Sequence, residues 1–152
     1  MKDKKQFFCR FETRRTAYAP IGEPVHCAKD VVEFLRKAVY NDPEEMWREK
    51  SVALYLDRQR RIIGYEVLSV GGSNHCTFEP TAMYRTAVEH MADGVVFVHN
   101  HPSNNPQPSR EDIEAAGKIS KALALLDINL VDVIIFTEKE AFSFIDEKII
   151  KK

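Results

Sequence analysis

Residues 95–98 read Val-Val-Phe-Val, with no polar residue to mark a solvent face. A strand with one wet face alternates apolar and polar residues, so an unbroken apolar run points to a strand covered on both sides. Gly94 precedes the run, and His-Asn-His-Pro follows it at 99–102. Whatever fold the chain adopts must therefore bury this strand between layers and bring its end out to a pair of histidines.

The neighbouring patterns supply the layers. Residues 30–40, DVVEFLRKAVY, set Val31, Phe34, Leu35 and Ala38 on one helical face, and Asn41-Asp42-Pro43 ends that helix. SVALYLD (51–57) and IIGYEVLSV (62–70) read as strands joined by a polar hairpin turn, with Gly71 to Asn74 closing the second. TAMYRTAVEHM (81–91) has Met83, Ala87, Val88 and Met91 at helical spacing. A long helix is expected over 110–126, and closing strands over 130–136 and 141–145. Residues 7–18 mix aromatic and polar side chains and read as a first strand. Helices interspersed with strands and a hairpin give an α/β class with a mixed β-sheet flanked by helices.

The chain has 152 residues, no internal repeat and no evident linker, which suits a single domain spanning 1–152. A composition 44% hydrophobic and 30% charged, with a net charge of -1, is that of a soluble globular protein and gives no support for a strongly basic nucleic-acid surface. The basic residues Lys2, Lys4, Lys5, Arg10, Arg14 and Arg15 read as a solvated strand edge. The start lacks the apolar stretch of a signal peptide, and no run approaches the length of a membrane span. Cys9, Cys27 and Cys76 are odd in number and widely spaced, so a disulfide framework is not indicated. The expectation is a cytoplasmic protein in a reducing compartment.

The chemistry concentrates between residues 99 and 112. In extended backbone His99 and His101 point to the same side, so both imidazoles can face one point beyond the strand. Pro102 stiffens the exit. Asp112 lies in the first turn of the next helix, and the loop between can return its carboxylate to that point. Two neutral imidazoles and a carboxylate form a normal three-ligand set for catalytic zinc, whose bound water ionises near neutral pH. The plainer reading is structural: Ser109 to Asp112 is also a helix-capping pattern, and strand histidines are often surface or packing residues. From the residues alone, a metal centre and a capped helix beside a histidine pair both stand open.

The stretch HNHPSNNPQPSRED resembles the JAMM signature of MPN-type metalloproteins: His-x-His-Pro, six residues, Ser-x-x-Asp. Within that superfamily it is most similar to the RadC-like group, which typically reads HNHPSG-x-P-x-PSRxD. GYEVLSVGGSN resembles the group's strand and glycine turn before the middle helix, and ALLDINLVDVIIFTE its closing helix and strand. The resemblance covers roughly residues 27–146 and implies a cytidine-deaminase-like JAB/MPN fold.

It implies, residue by residue, His99, His101 and Asp112 as zinc ligands and Ser109 as a hydrogen-bond donor to a developing oxyanion. It also implies a glutamate at the start of the strand after the first helix. WREKSVALYLD offers Glu49, eight residues before Asp57, which is the family's spacing. A carboxylate there can take the proton of the activated water and return it to the leaving amine. Glu66 is the competing acid, while Glu44 and Glu45 read as a solvated loop. The sequence departs from the group at Asn104, where glycine is usual, and at Lys50, where an apolar or aromatic residue is common. Asparagine tolerates the left-handed conformation, so the turn can survive. Many RadC-like proteins carry an N-terminal helix-hairpin-helix region, which this sequence is too short to include.

The expected function is a zinc-dependent hydrolase that cleaves a peptide or isopeptide bond in a peptide or protein substrate. Two other classes are weighed against it. The RadC name is tied to DNA repair, so a DNA-binding factor or nuclease is one, although the charge balance argues against strong duplex binding. A non-catalytic scaffold is the other, and the intact His99, His101 and Asp112 argue against that. A second zinc site from His26-Cys27 and His75-Cys76 is disfavoured for lack of ligand spacing. Cys76 reads as a buried thiol and His90 as a partner for a helix C-terminus. Arg58, Arg60 and Arg61 read as an exposed hairpin tip.

Overall fold

The computed structural model describes residues 23–71 and 80–150. The first-strand expectation at 7–18, the glycine turn beyond Gly71, His75, and Cys9 and Cys76 lie outside them. The elements are α1 (Ala28–Ala38), a short 3-10 turn (Pro43–Trp47), β1 (Lys50–Leu56), β2 (Ile62–Val70), α2 (Pro80–Glu89), β3 (Gly94–Asn100), α3 (Arg110–Leu125), β4 (Asn129–Phe136) and β5 (Ala141–Ser143).

The strands form one mixed sheet in the order β2-β1-β3-β4-β5. Only β3 and β4 are parallel; the other pairs are antiparallel. A parallel pair needs a crossover connection, and α3 is that crossover. Every residue of β3 is buried, as its apolar run requires. Val96 and Val98 pack with Val31 and Leu35 of α1 on one face. Val95 and Phe97 pack with Met83 and Ala87 of α2 and with Ile119 and Leu123 of α3 on the other. The described residues therefore form an α/β fold, a mixed sheet flanked by three helices, as JAB/MPN-like folds are.

Local chemistry sets the ends. The Asp30 carboxylate accepts from the backbone N–H groups of His26 (2.8 Å) and Cys27 (3.2 Å) at the start of α1. The expected hairpin forms around Asp57, whose Oδ1 accepts from Gln59 and Arg61 N–H, both at 2.9 Å. Arg58 and Arg60 are exposed, but Arg61 is pinned to Asp57 through its guanidinium at 2.7 Å. The helix over 81–91 is shorter on its apolar side than its spacing predicts. Met83 and Ala87, one helical turn apart, are buried, whereas Val88 and Met91 are exposed. Val88 lies too far round the helix from Met83, and Met91 follows the helix with φ 51°.

Candidate metal centre

The site lies where β3 runs out of the sheet. Pleating alternates its side chains: His99 points to the face that carries α2 and α3, and Asn100 to the face that carries α1. His101 follows on the His99 side, its N–H bonded to the Phe136 carbonyl at the end of β4 (2.9 Å). The His99 and His101 Nε2 atoms come within 3.1 Å of each other. Beyond Pro102 the chain turns through Asn104, whose φ is 59° and whose N–H bonds the His101 carbonyl at 3.1 Å. Asparagine thus holds the left-handed position where the related motif has glycine.

The loop returns at Ser109, the N-cap of α3. Its hydroxyl accepts from the Asp112 N–H (3.1 Å), and its own N–H donates to Asp112 Oδ2 (2.7 Å). This reciprocal capping box satisfies two backbone donors at the helix start, and it also aims the Asp112 carboxylate at the histidines. Asp112 Oδ1 lies 3.1 Å from His99 Nε2, and Oδ2 lies 3.7 Å from His101 Nε2. The structural and chemical readings of Asp112 are thus compatible, because cap and carboxylate act together. Burial alone would raise the Asp112 carboxyl. The hydrogen bond and charge of His99, with the bonds from Ser109, outweigh burial and hold it below the ordinary carboxylate range.

These donors suit a small divalent cation. Around zinc, ligands about 2.0–2.1 Å from the metal stand roughly 3.3 Å apart along a tetrahedral edge. The two histidine nitrogens, and His99 Nε2 with Asp112 Oδ1, are each 3.1 Å apart, close to that length, whereas it is the other oxygen, Oδ2, that lies 3.7 Å from His101 Nε2. The tautomer fits as well. His101 Nδ1 lies 2.8 Å from the Asn105 carbonyl, which can only accept, so Nδ1 carries the proton and Nε2 presents its lone pair. His99 is 3% exposed, and its Nδ1 is buried without a hydrogen-bond partner among the described residues, leaving Nε2 as its one connected nitrogen.

The group whose single ligand atoms all lie close together takes Glu49, not Asp112, as its carboxylate. Glu49, His99 and His101 each offer one ligand atom, and these atoms all lie within 4.8 Å of one another, so the three can hold a metal ion. Glu49 immediately precedes β1, and Ser51 pairs with His99 across the ladder, which sets the start of β1 beside the histidines. Glu66, the competing acid, is engaged elsewhere: its Oε2 accepts from the Tyr55 hydroxyl at 2.7 Å. Glu44 and Glu45 fall in a 3-10 turn rather than a loop, and Glu45 is not simply solvated, because it pairs with Lys50. Lys50 is buried at 7% exposure, its ammonium 5.3 Å from the Tyr40 ring centroid, so it faces away from the histidines. His26 and Cys27 are exposed at the start of α1, far in sequence from these ligands, and His90 is exposed just after α2.

Sequence reasoning passed over Asn100, whose side chain is fully buried. A polar residue at the end of an otherwise apolar buried strand was the available signal, since such a group must be hydrogen-bonded.

The family model described as RadC-like JAB domain matches residues 25–149. A UPF0758 protein of Carboxydothermus hydrogenoformans is 36% identical over 120 residues, covering 79% of this chain and 51% of that protein. One of Methanosarcina mazei is 34% identical over 144 residues, covering 93% and 61%. One of Aquifex aeolicus is 34% identical over 122 residues, covering 80% and 51%. The chain thus spans about half to three-fifths of the length of these relatives. Among the described residues, no helix is long and apolar enough to cross a membrane. With most of its length matched by that family model and the histidine motif standing where β3 leaves the sheet, the chain belongs to the RadC-like JAB domain family.

Proposed function

We propose that this protein is a zinc-dependent hydrolase of the JAMM type, acting on a peptide or isopeptide amide. The observation that carries the reading is that Glu49, His99 and His101 bring ligand atoms within 4.8 Å of one another, with the Asp112 carboxylate against the same histidine pair, Oδ1 3.1 Å from His99 Nε2 and Oδ2 3.7 Å from His101 Nε2. Zinc bound there supplies Lewis acidity and a water that ionises near neutral pH.

The chain's own residues have distinct tasks. His99, His101 and Asp112 are the ligands. Asn105 holds the His101 tautomer through its carbonyl. Glu49 takes the proton from the attacking water and returns it to the leaving amine. The Ser109 hydroxyl accepts the Asp112 N–H, so its own proton remains available to the oxyanion that develops on the substrate. An extended peptide fits between the loop 102–108 and the outer strand β2, which lies at the edge of the sheet among the described residues.

Elemental analysis of wild type beside His101→Ala and Asp112→Ala tests the reading. About one zinc per chain is expected in wild type and loss in both variants. Amide substrates can then be screened with Glu49→Gln as the inactive control. Wild type that takes up no zinc when it is offered refutes the hydrolase and favours a scaffold.

A further inference from the structure

We propose that Asn100 is a positioning residue for Glu49, clamping the backbone on either side of it so that its carboxylate is held against the histidine pair. The inference rests on the reading of Glu49 given above and adds a residue to which the metal site assigns no role.

All four hydrogen-bonding positions of the Asn100 amide are filled. Oδ1 accepts from the Lys50 N–H (2.8 Å) and the Tyr40 hydroxyl (2.9 Å). Nδ2 donates to the carbonyls of Arg48 (3.0 Å) and Met46 (3.2 Å). The carbonyls fix which end of the amide is nitrogen, because neither can donate. Two of these partners, Arg48 and Lys50, flank Glu49. The carbonyl of Glu49 itself accepts from Gly71 N–H at 2.8 Å. Three consecutive residues are thus tied on their main chain, two of them to one side chain.

Strand alternation explains why the tie reaches the site. Asn100 and the Lys50 side chain lie on the α1 side, Lys50 beside Tyr40. The residue before Lys50 projects to the opposite side, where His99 and His101 lie. Asn100 sits between those two histidines in sequence, so one short stretch of β3 supplies ligands on one face and the clamp on the other. No regular ladder would fix Glu49, which precedes β1 and follows a 3-10 turn. Tyr40, edge-on to Phe136 with ring centroids 5.0 Å apart, holds the amide in turn.

Two measurements test this, and the first needs no metal. Amide exchange is read in the metal-free protein for wild type and Asn100→Ala. Lys50 N–H is expected to be protected in wild type and to exchange about tenfold or more faster in the variant, the loss of a buried hydrogen bond, while Val96 and Val98 are unchanged. A freely exchanging Lys50 amide in wild type overturns the clamp even if the variant fails to fold.

The second is a zinc-affinity cycle over wild type, Glu49→Gln, Asn100→Ala and the double variant. Because the Glu49 carboxylate lies within ligand distance of the histidine nitrogens and adds its charge to the site, Asn100→Ala is expected to weaken zinc by about fivefold or more when Glu49 is present, and by less than about twofold in the Glu49→Gln background. Equal weakening in both backgrounds overturns the proposal, because Asn100 would then act on the histidines or on packing alone. Wild type that binds no zinc sinks the hydrolase reading, and the exchange result still decides the clamp.

Discussion

Asp112 has two tasks that can be separated by substitution. As the third residue of α3 it closes the capping box, and as a carboxylate it faces His99 and His101. Asp112→Ala removes both. It strands the Ser109 N–H that donates at 2.7 Å to a charged acceptor, a bond worth about 1.5–3 kcal/mol. Asp112→Asn keeps a neutral acceptor and loses the charge, at roughly 1 kcal/mol. Ser109→Ala loses only the cap, also about 1 kcal/mol. In a domain of this size each kcal/mol moves Tm by roughly 2–4 °C. With chelator present, thermal unfolding should therefore fall by about 3–12 °C in Asp112→Ala and about 2–4 °C in each of the other two.

Zinc separates the variants. At about 100 times its Kd, a ligand stabilises the native state by about 2.7 kcal/mol, or roughly 5–11 °C here. Wild type and Ser109→Ala should show that gain, and both Asp112 variants should lose most of it. Retention of the full gain by Asp112→Asn would falsify its assignment as a ligand and leave it a cap alone. Acid supplies a second check. Because the folded carboxyl is held below its ordinary value, its contribution is fully present above the ordinary carboxylate range. It is lost as pH falls through the lowered value. The gap between wild type and Asp112→Ala, measured without metal, should be full at neutral pH and close only under strong acid.

Two further outcomes follow from the geometry. Asn104 sits at φ 59°, so Asn104→Gly should match or slightly exceed wild type in urea unfolding, whereas Asn104→Val should lose about 1–2 kcal/mol; equal stability of the two would mean that the turn adjusts freely. The Asp132 carboxylate accepts from Ser143 Oγ (2.6 Å), Ile145 N–H (3.1 Å) and Val133 N–H (2.8 Å), tying β5 and the chain after it to β4. Asp132→Ala should destabilise by about 2–4 kcal/mol and raise amide exchange first at β5; a loss below about 0.5 kcal/mol would show that these bonds are replaced by water.

Much of the molecule was legible because local pattern and tertiary context agree. Val95 to Val98 read as a doubly covered strand and are one. The hairpin, the helix over 28–38 and the crossover helix lie within a few residues of expectation. Helix α2 was less legible, since its short buried face, Met83 and Ala87, carries too little periodic signal to exclude Val88 and Met91. The histidine spacing, the proline-rich return and the capping box were also readable, because each is a short-range relation along the chain.

The sequence by itself determined the alternation that puts His99 and His101 on one side, the stop at Pro102, and the cap that orients Asp112. These follow from backbone geometry over a few bonds. The resemblance singled out Glu49 by its spacing from Asp57, but only the tertiary structure brings that acid to the histidines. Glu49 stands just before β1 and Glu66 within β2, and strand pattern alone does not separate them. The β1–β3 pairing puts Ser51 opposite His99 and so brings Glu49 to the histidines, while Tyr55 engages Glu66. The clamp at Asn100 was likewise invisible, because its partners stand about fifty residues away in the sequence, and a hydrogen bond of that reach exists only once the sheet has formed.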